Sequence, residues 1–552
     1  MTAPMTLSPS HQRRERWIVW GSVALGAIVL TSLAVALPAA GFYSGDSGAK
    51  LIAARNAIAH PDHPFDVTLP TIGGRGMPDM DRFFEVHGDH AHALQSPLFP
   101  VLSAIPIAAF GLRGAYVLPL ISLLAMLPLL NVIRRHSEAS VPVGLLAAVV
   151  LLASPVFFYG LEFWEHAPAI ACVAASTALV VSRSDRSAGS GRLIALAGVV
   201  GGIAILLRPE AVWYVAALVW IARRRRLSFW FVLGVGAVLG VYAAANYAHF
   251  GNVVGPHVAA NLAPLRDHWL SARWERIRLW LLPWTAIGVV GIALITAASI
   301  GPLAAADLRK RQTLALLGSA VLSVAAARGA FPRDSLWNAW PAGSLLFVPR
   351  PGTDGTRDLW FLALFSIVAI WLTSTHDGGA QWGPRFLLIA APPLIVLSAA
   401  TATDAMKSGY RHRLRQALVI LILLAGAWTT RAAYRDLRGA KGYYARMVSA
   451  TESMTEPREY FVADVWWFDQ AVAALYNTRT FLFAPDAPGA NAVLQQLAAA
   501  NVSRVMLVWS RDGVDGKPLN DAVSGTCYRI TEVRDVPDTN LTFASAACAA
   551  GR

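Results

Sequence analysis

The stretch GFYSGDSGAKLIAARNAIAH, residues 41–60, places Asp46, Lys50 and Arg55 directly after a long apolar run. A local reading is that Asp46 or Ser47 caps an amphipathic helix with Leu51, Ile52 and Ile58 on one face. The chemical reading is that a carboxylate at the mouth of a helix bundle is partly desolvated and gains basicity. Such a group can take a proton from an attacking hydroxyl.

Other stretches supply complementary chemistry. YGLEFWEHAPA sets Glu162, Glu165 and His166 in a tight loop between two apolar runs. Neighbouring acids there can bind a divalent cation or orient a substrate hydroxyl, or else form an interfacial turn anchored by Trp164. LLRPEAVW puts Arg208 and Glu210 around Pro209, as an ion pair at a kink or as substrate groups. HDGGAQWGPRF sets two glycines and Gly383-Pro384 beside Arg385. Permissive backbone plus guanidinium suits phosphate capture, with a snorkelling arginine as the alternative. HGDHAH offers His87, Asp89, His90 and His92, with His60 and His63 in the same loop, but their spacing matches no standard zinc signature and no metal site is assigned. There is no Walker motif, Gly-rich nucleotide loop or nucleophile elbow, so any group to be transferred must arrive already activated.

The elements that position these residues follow from composition. Of 552 residues, 55% are hydrophobic and 15% charged, and the mean hydropathy is +0.47. Apolar runs of about 20 residues between short basic loops describe a polytopic helical membrane protein. The net charge of +13 sits mainly in those loops, which makes it a topological signal and not one for nucleic acid. The run 17–40 follows HQRRER and exceeds a signal-peptide core, so it reads as an uncleaved first span.

Placing the basic loops 11–16, 133–136, 182–192, 223–226, 309–312 and 407–415 in the cytoplasm gives about 11 to 13 spans and a cytoplasmic N-terminus. Parity then requires 341–349 to cross, or 312–327 to re-enter. The polar stretches 41–113, 159–166, 249–278 and 374–385 fall on the outer face, as does the chain after Thr430. Within the first, the proline-rich piece 96–111 is expected to lie in the interface.

From residue 436 the composition changes. EYFVADVWWF and VSRVMLVWS read as strands, with NAVLQQLAAANV as a helix between them. The chain therefore divides into a membrane domain, 1–435, and a small extracytoplasmic α/β domain, 436–552. Cys527 and Cys548 both lie in the latter, as a disulfide or as two thiols, whereas Cys172 lies in a span.

Taken together, these pieces resemble the GT-C class of integral-membrane glycosyltransferases that use polyprenyl-phosphate sugars, which includes protein O-mannosyltransferases and the lipid A aminoarabinose transferase. The likeness runs through most of 17–430. It rests on YSGDSGAKLIAARN after the first span, QSPLFPVLSAI in the outer loop, EFWEHAPA, LRPEA, YAHFGNVVGP and GGAQWGPRFLLIAAPP. Many relatives carry an Asp-Glu pair in the first loop, whereas here Asp46 is followed by Ser47.

The resemblance implies a GT-C-like fold and an inverting transfer from a polyprenyl-phosphate sugar to a hydroxyl acceptor in the cell membrane. In that reaction Asp46 is the base, and Arg385 and Arg208, with Lys50 or Arg55, hold the donor phosphate. Glu162 or Glu165 and the adjoining His166 orient the acceptor or a divalent cation. Two other classes fit the same residues: a flippase for lipid-linked saccharide, and an inactive assembly subunit. Polar groups gathered at one face, without an internal repeat, favour the enzyme.

Overall fold

The computed structural model describes residues 9–68, 71–72, 75–76, 83–87, 90–137, 141–182, 190–256, 269–299, 308–350, 352–374, 381–407, 412–454, 459–511 and 517–548. Among these, six helices are long and apolar enough to cross a membrane: Arg13–Ala36, Leu98–His136, Ser228–Phe250, Asp354–Thr373, Arg385–Met406 and His412–Met454. The pair Ser271–Leu281 and Ala286–Ser299, bent by 96°, makes a seventh if counted as one span. Val143–Leu152, His166–Val181 and Gly191–Leu207 are shorter apolar helices. The chain is a multi-pass membrane protein.

It divides into two compact units. The first comprises Met1–Ala34, Leu118–Gly255 and Asn261–Arg435. Large apolar side chains such as Leu25, Ile28, Phe229, Val241, Ile420 and Leu424 point outward from its helices. In water this surface would be unstable; against lipid tails it is matched. Glycines bring its helices together: a Cβ on Gly198 would sit 2.1 Å from the Phe231 carbonyl oxygen, and one on Gly234 2.1 Å from that of Ala195. Small residues at such crossings let backbones approach where no hydrophobic force drives association.

Two interruptions in this unit matter for the site. The apolar run 141–158 breaks after Leu152, and a short helix Val156–Gly160 resumes beyond Pro155. The segment 341–349 forms a 3₁₀ helix, Pro341–Phe347, seven residues long and buried from Pro341 to Leu345. At about 2 Å per residue this is too short to cross the hydrocarbon by itself. Ser319 Oγ donates to Ser344 O over 3.1 Å and fastens the segment to the helix Leu308–Ala327.

The second unit joins Val35–Val117 and Pro256–Ala260 to Asp436–Arg552, so the first loop and the tail form one body. The loop contributes the helices Gly45–Ala59 and Leu98–Phe110 with, among the described residues, five short strands between them. These are β1 (Val67–Thr68), β2 (Thr71–Ile72), β3 (Arg75–Gly76), β4 (Phe84–His87) and β5 (His90–Ala93). β5 lies between β1 and β4, antiparallel to both, and β2 pairs with β3.

In the tail, β6 (Tyr460–Ala463), β7 (Thr480–Phe483), β8 (Arg504–Ser510), β9 (Tyr528–Asp535) and β10 (Leu541–Cys548) form a sheet in the order β7-β6-β8-β10-β9. β6 runs parallel to β7 and β8, while β10 is antiparallel to β8 and β9. Both faces of the sheet are covered, so its inner strands read as continuous apolar runs. Val462, Leu482 and Leu507 pack with Leu494 of the helix Ala487–Ala499. Phe461, Phe481 and Phe543 pack with Met447 and Val448 from the end of the helix His412–Met454. A disulfide joins Cys527 to Cys548 across the open end of the β9–β10 hairpin, with 4.9 Å between the Cα atoms.

Candidate functional site

In the first unit, two glutamates and two arginines from three separate sequence stretches gather around a buried aromatic cluster. Glu165 is the N-cap residue of His166–Val181, and Glu210 that of Ala211–Arg224. Negative charge is favoured at both positions. Neither side chain caps its own helix, and both turn to Arg208 instead. Arg208 Nη1 donates to Glu165 Oε1 over 2.9 Å and its Nε to Glu210 Oε2 over 3.1 Å, while Nη2 bonds Glu210 Oε1. Arg208 follows the last turn of Ser190–Leu207, and its N–H donates to Ala204 O over 2.8 Å. Its charge therefore also complements a helix C-terminus.

The loop before Glu165 is tightly packed. Glu162, Phe163 and Trp164 are fully buried, and Trp164 N donates to Glu162 O over 2.8 Å. Tyr159 stacks on Trp164 at 5.5 Å, and His166 lies 4.9 Å from the Tyr159 ring and 5.4 Å from that of Trp164. His166 Nδ1 is 4.0 Å from Glu165 Oε1.

Arg385 reaches the same cluster from the far end of the sequence. Tyr159 Oη donates to Trp382 O over 3.0 Å, and Gly383 N to Arg333 O over 3.2 Å, which fixes the segment before it. Gly383 has a φ of +70°, and a Cβ there would meet the Ala339 Cβ at 2.3 Å, so glycine is required twice over. Pro384 and the prolines at 392 and 393 fall before or in the first turn of Ala391–Met406, where no N–H is lost from the ladder. The Arg385 guanidinium lies 5.4 Å from the Trp164 ring and 5.4 Å from that of Phe386, while Arg208 lies 5.3 Å from the same Phe386 ring. Phe386 is thus shared by both cations.

The structure accordingly brings Glu165, His166, Arg208, Glu210 and Arg385 into one cluster, with Glu162 buried in the loop just before it. Tyr159, Trp382 and Phe386 complete it without having been singled out by sequence. Their signal was their proximity to Glu162 and Arg385 in the chain, which aromatic type alone does not mark as functional. The cluster sets two guanidiniums against the carboxylates of Glu165 and Glu210, with Arg208 paired to both acids and Arg385 lying over aromatic rings.

In the second unit, Ser44 is the N-cap of Gly45–Ala59 and makes no side-chain cap bond, so Asp46 stands inside the first turn and does not cap it. Its two carboxylate oxygens have different partners. Gln95 Nε2 donates to Oδ1 over 3.3 Å, and Lys50 Nζ lies 3.9 Å from Oδ2. Lys50 is buried and Asp46 partly exposed. Arg55 Nη1 donates to Ala474 O over 2.6 Å. Burial alone lowers its pKa from the usual value.

Of the metal-type residues in this loop, Asp89 and the side chains of His87 and His90 lie outside the described residues, as do His376, Asp377 and the two glycines after them. His60 and His63 are exposed. His92 Nδ1 is 3.2 Å from Asp66 Oδ1, and both side chains are buried.

The chain matches no protein-family model and no curated protein. Among solved structures it is similar to ArnT from Cupriavidus metallidurans bound to undecaprenyl phosphate, with a TM-score of 0.52 and 14% identity, over 95% of this chain and 98% of that one. This is a GT-C fold. The match takes in the tail as well, since it covers nearly the whole of both chains. The same ArnT in its apo state gives a TM-score of 0.49 at 13% identity, over 95% of this chain and 98% of that one. An oligosaccharyltransferase from Archaeoglobus fulgidus tethered to an acceptor peptide gives 0.48 at 14%, over 96% of this chain and 74% of that one.

Proposed function

We propose that the protein is an inverting glycosyltransferase, moving a sugar from a polyprenyl-phosphate donor to a hydroxyl acceptor at the outer face of the cytoplasmic membrane. In this reading the N-terminus is cytoplasmic and the tail, 436–552, is extracytoplasmic. The observation that supports it is the buried Arg208–Glu165–Arg385 cluster, carried on a fold shared with a protein solved with undecaprenyl phosphate.

Asp46 takes the acceptor's hydroxyl proton as the acceptor oxygen bonds to the anomeric carbon. The bond from that carbon to the phosphate oxygen breaks, and its electron pair leaves with the lipid phosphate. Arg385 and Arg208 hold that phosphate and stabilise the charge it gains, with Lys50 as a further cation. Glu162, Glu165 and His166 orient the acceptor or a divalent cation. The leaving group is a lipid headgroup, which accounts for ionisable side chains gathered beside apolar spans.

The test uses purified full-length protein in lipid nanodiscs with labelled undecaprenyl-phosphate hexoses and pentoses. Asp46→Ala is expected to lower turnover by roughly 10²- to 10⁴-fold. Undecaprenyl phosphate binding should stay close to that of the wild type. Turnover retained in Asp46→Ala removes the base assignment. A wild-type protein that binds undecaprenyl phosphate yet consumes no sugar removes the enzyme.

A further inference from the structure

Helix Gly45–Ala59 carries two glycines in its first turns, each costing about 1 kcal/mol of helix stability relative to alanine. Both abut one residue of the tail. A Cβ on Gly45 would lie 2.0 Å from Gln470 Oε1, and one on Gly48 2.0 Å from the Gln470 carbonyl oxygen and 2.6 Å from its carbon. Gln470 is buried, in the short helix Phe468–Ala471. One turn further along the tail, the carbonyls of Ala473 and Ala474 accept from Arg55 Nη1 at 3.5 and 2.6 Å.

The angular arrangement gives these contacts a purpose. At about 100° per residue, Gly45, Gly48, Ile52 and Arg55 fall within a stripe roughly 80° wide. Asp46 projects about 140° and Lys50 about 180° away from its centre. The helix therefore docks on the tail with one face and turns Asp46 out on the other. Its entry is held as well. Lys441, fully buried in the helix His412–Met454, donates from Nζ to Gly41 O over 3.3 Å and to Tyr116 Oη over 2.7 Å. A Cβ on Gly41 would meet the Lys441 carbonyl oxygen at 1.9 Å.

We infer that the tail domain is the positioning element for Asp46: Gln470, seated against Gly45 and Gly48, together with the carbonyls that hold Arg55, sets the rotation and height of the helix that presents this carboxylate. Gln470 and Arg55 act through Asp46 and are positioning residues. The catalytic consequence rests on the base assignment above, whereas the docking does not.

Two measurements on full-length protein in nanodiscs separate these parts. Hydrogen–deuterium exchange of the segment 45–56 needs no donor. Gly48→Ala forces a methyl into tail backbone, and exchange there should rise at least tenfold while strands β6 and β8 keep their protection. Gly45→Ala meets only the end of the Gln470 side chain, so its effect should be reversed in Gly45→Ala/Gln470→Ala. In the transfer assay, Gly48→Ala and Gly45→Ala are expected to lower kcat roughly 10- to 100-fold with KM for the donor unchanged, and the double variant to recover only the part lost to the Gly45 clash, since it lacks the Gln470 side chain. Wild-type exchange in Gly48→Ala, or no rescue in the double variant, overturns the docking. Raised exchange with undiminished kcat overturns the positioning role, provided Asp46→Asn is inactive; an active Asp46→Asn removes the base assignment and leaves the docking result intact.

Discussion

Arg208 bonds Glu165 across 43 positions of sequence, and the same guanidinium bonds Glu210 two residues on, so one cation serves the N-cap acids of two helices. Burying three charges is costly unless each finds its partners, and removing one member costs more than the net worth of the pair. The arrangement is asymmetric. Arg208→Ala leaves the buried Glu165 and the partly exposed Glu210 carboxylates without their shared cation, a loss of roughly 3–5 kcal/mol. Glu165→Gln leaves Arg208 bonded to Glu210 and should cost about 1–2 kcal/mol. Thermal melts of detergent-purified protein should rank wild type above Glu165→Gln and Glu165→Gln above Arg208→Ala. Equal midpoints for the two variants would mean that losing the shared cation costs no more than losing one of its partners.

The legibility of this molecule follows the range of its interactions. Hydropathy exposed the long spans because a lipid-facing helix is apolar along most of its length, and EYFVADVWWF and VSRVMLVWS marked strands because both faces of their sheet are covered. Arg208 beside Glu210 suggested an ion pair because both residues lie in one short stretch. The Gly45–Gly48 pair was opaque. Glycine near a helix start reads as a turn or cap, and nothing local tells that its purpose is to admit Gln470 more than 400 residues later. Guanidinium type likewise does not show that Arg55 Nη1 meets two tail carbonyls, which lie 418 and 419 positions away. The cluster's aromatic members stayed hidden for a similar reason, since Tyr159 is selected by a carbonyl at Trp382.

The tail relies on a covalent closure. Cys527 and Cys548 are 21 positions apart, and a loop of that size contributes about 3 kcal/mol in the chain-entropy account. β9 and β10 also pair along a ladder from Thr542–Asp535 to Cys548–Tyr528, so the loss should be somewhat less than that figure. Replacing both cysteines by serine in the full chain should lower the denaturant midpoint of the tail, read by hydrogen exchange of β9 and β10. Reductant should do the same to the wild type and nothing further to the variant. A reductant-insensitive wild type with an unchanged midpoint in the variant would show that the strands hold the hairpin alone.

Asp464, directly after β6, supplies a pH dependence with a definite sign. Its N–H donates to Val508 O over 3.2 Å, and burial pushes its carboxyl up from 3.8 to about 6. A raised carboxyl pKa means the folded tail binds the proton more tightly than the unfolded chain. The contribution is therefore complete below pH 4 and is lost as pH rises through about 6, beyond which the folded domain carries a partly buried carboxylate. Because the group is partly exposed, solvent screening reduces the effect to on the order of 1 kcal/mol. Asp464→Asn keeps the shape and removes the titration. Relative to that variant, the wild-type tail should lose stability between pH 4 and pH 6 and run parallel to it above pH 7. Unfolding midpoints for both proteins across that range decide the matter: curves parallel throughout would show that Asp464 keeps an ordinary carboxyl in the folded tail, and a wild type gaining on the variant with rising pH would reverse the sign.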